Sequence, residues 1–122
     1  MNNQEINLAI AKLVHPEARK IQPDAIDFCK DGEGVLVSLA YGSASLVDYC
    51  NNWNDLMPLV VEHKIALMPE YFDDIVMTDN WEAEYEIIPN GYQCSVNKDP
   101  QRALAECLLK VLESKLREGE DD

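Results

Sequence analysis

The chain has 122 residues, 47% of them hydrophobic, a length that suits one domain able to bury about two thirds of its unfolded surface without a metal or disulfide staple. Its formal net charge of −13 opposes nonspecific attachment to nucleic acid or to an anionic membrane and favours basic protein partners. No apolar run approaches the roughly 20 residues of a membrane span, and the N-terminus lacks a signal peptide's basic start and apolar stretch, so the expected location is the cytoplasm.

Asn2 and Glu5 have capping-box spacing, and Ile6, Ala9, Ile10 and Leu13 form an amphipathic stripe before Pro16, which predicts a helix over about residues 3–15. Residues 16–34 mix proline, glycine and charge and read as a loop with a short strand near Ala25 to Cys29. Val35 to Tyr41 is the best buried strand: Val35, Val37, Leu39 and Tyr41 share one face, and Leu36, Ser38 and Ala40 make a nearly apolar second face. Gly42-Ser43 suits a type II′ turn, returning Ala44 to Tyr49 as the neighbouring strand.

A second helix is expected to start near Asn54 or Asp55, because Pro58 is harmless only in a first turn, and to run to about His63 with Leu56, Leu59, Val60 and His63 inward. Ile65 to Met68 reads as a short strand, Pro69 to Asp74 as a loop, and Ile75 to Thr78 as a weak strand ending at Asp79-Asn80. A hairpin follows. Glu82, Glu84 and Glu86 alternate with Ala83, Tyr85 and Ile87, Pro89-Asn90-Gly91 is turn chemistry, and the return strand sets Tyr92, Cys94 and Val96 against Gln93, Ser95 and Asn97. One apolar face and one wet face are expected, with the glutamates beside Gln93, Ser95 and Asn97.

The clearest helix comes last: Asp99 is an N-cap, Pro100 the first helical residue, and Leu104, Leu108, Val111 and Leu112 the core stripe. Glu106–Lys110 and Glu113–Arg117 are spaced as i,i+4 pairs, and residues 118–122 read as an acidic disordered tail behind a single domain over 1–117. The order of elements suits an α+β fold, an antiparallel or mixed sheet packed by helices.

Residues 65–97 hold seven carboxylates (Glu70, Asp73, Asp74, Asp79, Glu82, Glu84, Glu86) and no lysine or arginine. Their spacing fits no calcium loop, and residues ~7 Å apart along one strand face are too far apart to share an ion without other ligands. Cys29, Cys50, Cys94 and Cys107 lack zinc-ligand spacing and read as reduced core thiols. His15 precedes a helix-ending proline and His63 sits at a helix C-terminus, where an imidazolium is favoured by the dipole; both read as capping or packing residues. Nucleophile, dinucleotide and phosphate-loop motifs are absent, so no cofactor is expected and catalysis is disfavoured. The candidate partner-binding residues are the seven carboxylates with Tyr71 and Phe72; Trp53 and Trp81 read as core or half-buried anchors.

The opening helix, the segment Asp48-Tyr49-Cys50-Asn51-Asn52-Trp53 leading into Leu56–His63, the later Trp81, and Asn97 to Leu112 with its Arg102-Ala103-Leu104-Ala105 run resemble small accessory proteins of tailed phages and prophages of enteric bacteria, the phage ABA-sandwich (NinX-like) domain. The motifs that carry the resemblance are structural joints. It implies a three-layer α-β-α sandwich, with a sheet of four to six strands and about three helices, and it implies no activity. A sheet covered on both faces should be apolar on both, so the glutamate comb places the hairpin at the sheet margin. Two roles follow as expectations. One is a binding protein whose anionic surface occupies a basic site on a host or phage protein, such as a nucleic-acid-binding or defence factor, as a DNA mimic would. The other is a structural or assembly module, or a homodimer pairing through a strand edge; an enzyme on a small substrate is the minor third.

Overall fold

A computed structural model describes residues 1–16, 25–38, 44–86 and 92–120, with the backbone only of residues 86, 92–94 and 117–120. The fold is α+β: helix α1 (Asn3–Val14), strands β1 (Ile26–Phe28), β2 (Val35–Ser38) and β3 (Ala44–Val47), helix α2 (Trp53–His63), strands β4 (Ala66–Tyr71), β5 (Met77–Glu86) and β6 (Tyr92–Asn97), and helix α3 (Pro100–Glu120). All strand pairs are antiparallel, but the six strands divide into two sheets of three, β1-β2-β3 and β4-β5-β6, rather than forming one. The chain correspondingly forms two compact units, residues 1–56 and 57–122.

In the first unit the capping box is as read, with the Asn2 Oδ1 accepting from Glu5 N at 2.8 Å and Glu5 Oε1 accepting from Asn2 N at 3.0 Å. α1 lies on β1 and β2. Its buried face is Ile6, Asn7, Ile10 and Ala11, so Ile6 and Ile10 of the stripe are buried while polar Asn7 and Ala11 replace Ala9 and Leu13 beside them. Val35 and Val37 of β2 are buried, whereas Leu36 is exposed and directly opposite exposed Leu46 of β3. The second face of β2 is therefore open, contrary to the reading of a strand covered on both sides. The far end of that strand, Leu39–Tyr41, and the Gly42-Ser43 turn lie outside the described residues.

α2 begins at Trp53, a residue before the expected start, with Asn52 as its cap: Asn52 Oδ1 accepts from Asn54 N at 3.0 Å. Pro58 therefore stands in the second turn and cannot donate to the carbonyl of Asn54. The cap and the burial of Leu56 and Val60 on one side offset that lost bond. At the other end Lys64 takes φ 56°, and Ile65 N and Lys64 N donate to the carbonyls of Val60 and Val61 at 3.1 and 3.3 Å. This is a Schellman end with lysine where glycine is usual.

The second unit is a β-meander under α3, which lies on β5 and β6. Asp99 caps α3 through Oδ1 to Gln101 N at 3.0 Å. The buried arc includes Leu104, Leu108 and Val111 as read, and also Ala103, Ala105, Cys107 and Leu109. Glu106 is engaged by Arg102 (Nε–Oε1 2.6 Å), and the Arg117 side chain lies outside the described residues. The helix continues to Glu120, so residues 118–120 are helical rather than part of a disordered tail. Part of the loop read over Pro69 to Asp74 is strand, and the strand read as ending at Asp79-Asn80 runs through that pair. Pro69 to Tyr71 belongs to β4, tolerable because β4 is an edge strand where a missing amide hydrogen costs little, and Asp79-Asn80 lies within the continuous β5.

Candidate interaction surface

The β5–β6 register decides which side chains share a face. Ala83 pairs with Ser95, Glu82 with Val96 and Glu84 with Cys94. The glutamates therefore stand beside Val96 and Cys94, and Ser95 stands on the other face, a one-residue slip from the pairing expected above. The covered face is formed by Ala83 and Ser95, both buried, and small side chains there let α3 approach the sheet closely. The cost is Ser95 Oγ, buried with no hydrogen-bond partner. Val96 in turn is exposed.

On the open face β5 is central, and each glutamate is flanked across the sheet. Met68 and Val96 sit on either side of Glu82, and Ala66 and Cys94 hold the corresponding positions beside Glu84. Glu82 and Glu84 are consequently half-buried rather than fully exposed. Burial among these apolar neighbours, a hydrogen bond with Glu84, and the charges of Glu84 and then Glu70 push the Glu82 carboxyl above its ordinary value of 4.5. Two carboxyls whose strand positions are too far apart to share an ion unaided still lean together through their side chains. Glu86 follows in the same register, its side chain outside the described residues.

Glu70 has a separate task. The β4–β5 register is irregular between Pro69, opposite Trp81, and Tyr71, opposite Met77, so Thr78 to Asn80 bulges out against Glu70. Glu70 Oε1 accepts from Thr78 Oγ1 at 3.0 Å and from Asn80 Nδ2 at 3.2 Å, and Thr78 Oγ1 accepts from Asn80 N at 3.0 Å. Asp79, on the outside of the bulge, is exposed.

Beyond the bulge the β4–β5 hairpin closes in a tight tip. Phe72 N donates to the Val76 carbonyl at 2.7 Å, and Asp73 Oδ1 accepts from Ile75 N and Val76 N at 2.8 and 2.9 Å. Those two backbone donors hold the Asp73 carboxyl below its ordinary value, so this residue builds the turn. Asp74 is exposed. Around it Phe72 is 80% and Ile75 88% exposed, and Tyr71, Val76 and Met77 are exposed as well. Tyr71 and Phe72 are exposed, as an aromatic contact would require, and of the strand read over Ile75 to Thr78 only Met77 and Thr78 belong to β5. The Asp-Asp pair between two apolar pairs, Tyr71-Phe72 and Ile75-Val76, was the available signal, since Asp is a turn former.

Two further clusters are positioned by the fold. In the second unit His63 Nδ1 is 2.6 Å from Lys115 Nζ, which lies over the Tyr85 ring at 5.5 Å from its centroid, and Glu62 Oε2 is 3.8 Å from Nε2. Burial first, then Lys115, lower the His63 pKa against a smaller opposing effect of Glu62, so the helix-end imidazolium expected from the dipole gives way to a neutral ring accepting from the lysine. In the first unit fully buried Asn7 donates to the Glu33 carbonyl (2.9 Å) and Asp48 Oδ1 (2.7 Å) and accepts from Cys50 N (3.0 Å). Asp48 also accepts from Asn51 N at 3.1 Å, and Asn51 Nδ2 reaches Glu33 Oε1 at 3.0 Å. These residues form a structural joint that fastens the Asp48–Asn52 turn to α1. Cys50 and Cys107 are buried thiols and Cys29 is partly exposed; Trp53 and Trp81 are exposed, against their reading as core or half-buried anchors, and the Cys94 side chain lies outside the described residues.

Among the described residues no three His, Cys, Asp or Glu side chains are grouped to hold a metal ion, and no helix is long and apolar enough to cross a membrane. No protein-family model matches the chain, and no curated protein matches its sequence.

Proposed function

We propose that this protein acts by binding another protein through the open face of the β4-β5-β6 sheet, and that the partner presents lysine and arginine side chains to it. The carrying observation is Glu82 and Glu84, held half-buried between apolar neighbours in a segment, residues 65–97, that contains no basic side chain. A carboxylate already stripped of part of its water loses less on docking and gains more from an incoming cation than one that is fully hydrated. The resemblance to phage ABA-sandwich proteins supports a setting in the cytoplasm of a bacterial host, where a nucleic-acid-binding or defence protein offers the basic site that a DNA mimic would occupy. The role is one of occupancy and assigns no catalytic residue.

The test compares wild type with E82Q/E84Q/E86Q as immobilised baits in host lysate at low and high salt. The reading expects a basic protein recovered by wild type at low salt, weakened by high salt and by the triple variant. Equal recovery in all four conditions would sink it. A structural role as a homodimer is favoured by one observation, the exposed Leu36–Leu46 pair beside the β3 edge. Sedimentation of a Leu46→Ser variant addresses it, an unchanged monomeric profile in both proteins counting against pairing there.

A further inference from the structure

Resting on that reading, we infer that the β4–β5 hairpin tip is the anchor of the interaction, inserting Phe72 and Ile75 into an apolar pocket on the partner whose rim carries lysine or arginine. The tip is convex, so its complement is a concavity, and its most exposed side chains are two of its bulkiest apolar ones. It is also built before binding. Asp73 ties the Ile75 and Val76 amides, Phe72 N closes onto the Val76 carbonyl, and Glu70 braces the bulge at the base through Thr78 and Asn80. A turn already held by its own hydrogen bonds loses little conformational freedom on docking, which favours affinity.

Charge selects the occupant. Asp74 and Asp79 stand exposed around the tip, Glu82 and Glu84 lie further along β5, and the surrounding segment supplies no cation. A second copy would bring the same sign to the same place, and nucleic acid or an anionic membrane would do likewise. A basic-rimmed protein pocket satisfies both the apolar centre and the acidic surround, the usual division between an interface's core and its rim. The carboxylates then govern encounter and salt dependence, and the two apolar side chains govern residence.

The experiment adds F72S/I75S to the two baits above, each protein first checked for unchanged circular dichroism, with unchanged melting expected of F72S/I75S because Phe72 and Ile75 are so exposed. The protein recovered by wild type is identified, purified and titrated calorimetrically against all three. Loss of affinity by about 30-fold for F72S/I75S at both low and high salt, with E82Q/E84Q/E86Q weakened mainly at low salt, supports the anchor. A partner that still binds F72S/I75S at wild-type affinity while E82Q/E84Q/E86Q weakens overturns the anchor and leaves the binding reading standing. Failure of wild type to recover any protein above a bait carrying both sets of changes removes both. Sedimentation in which wild type self-associates and F72S/I75S does not overturns the anchor in favour of a second copy.

Discussion

Both units lay one helix on a three-stranded antiparallel sheet, the helix preceding the strands in residues 1–56 and following them in residues 57–122. They are fastened by opposite means. The first unit places a polar side chain, Asn7, at the centre of its buried helix face and uses two hydrogen bonds to hold the Asp48–Asn52 turn and a third to the Glu33 carbonyl. The second presses an apolar helix arc onto Ala83 and Ser95, and sets carboxylates on the open face and the tip. A directional joint fixes one arrangement of a loop, whereas apolar packing fixes an element and tolerates variation outside it. That is why the second unit can expose a charged, apolar-tipped surface without weakening its own core.

The comparison is broken most strongly at each unit's centre. Leu108→Ala, at a fully buried position of α3, should cost about 3–5 kcal/mol through lost burial and a residual cavity. Asn7→Ala should cost about 2–4 kcal/mol, because it strands the Cys50 amide and removes donors from Asp48 and the Glu33 carbonyl. Trp53 and Trp81 report on the two units separately. Denaturant unfolding followed in W81F and W53F backgrounds should show the Asn7→Ala effect through Trp53 and the Leu108→Ala effect through Trp81. Asn7→Ala at under about 0.5 kcal/mol would mean that the joint is ornamental.

The same contrast explains what the sequence disclosed. Local devices were legible, since the Asn2–Glu5 box and the Asp99-Pro100 start need only neighbouring residues and a backbone that accepts them. The α+β class and antiparallel pairing followed from the periods. The hairpin register was not legible: alternation says that Glu82 and Ala83 face opposite ways, but whether Ser95 or Val96 stands beside Ala83 is decided by the approach of α3. Helix propensity likewise could not weigh Pro58 against the Asn52 cap and the burial of Leu56. Of the candidate residues, the structure gathers Glu82 and Glu84, gives Glu70 to the bulge and Asp73 to the turn, and leaves Asp74, Asp79, Tyr71 and Phe72 exposed.

A smaller effect sharpens the second unit's side of the comparison. His63 has its folded pKa held below the ordinary 6.5 by burial and then by Lys115. The unfolded state therefore binds more protons across that interval, and stability is fully present above pH 6.5 and falls as pH drops towards the folded value. Lys115→Met should cost about 1 kcal/mol at pH 8 by removing the contact to Nδ1. It should also flatten the acid-side slope without abolishing it, because burial, the larger cause, remains. Melting temperatures between pH 5 and 8, followed through Trp81, check this. An unchanged slope in the variant would show that the lysine does not bear on the titration.

The smallest effect concerns the surface itself and has the opposite sign. Glu82 has its folded pKa raised above 4.5, so the folded state holds the proton more tightly than the unfolded chain. The associated stability is present below the unfolded value and is lost as pH rises through the folded one. At pH 7 the carboxylate is charged beside Glu84 and between Met68 and Val96, and Glu82→Gln should stabilise the fold by about 0.5 kcal/mol or less, given solvent screening. The gain should vanish near pH 3.5, where the acid is protonated in both states. Glu84→Gln should recover less, because it relieves the hydrogen bond and the charge but not the burial, the largest cause of the shift. Urea midpoints for the two variants at both pH values measure the difference. A stabilised Glu82→Gln that also binds the partner more weakly would mean that this carboxylate is retained at a small expense in stability for its use in binding.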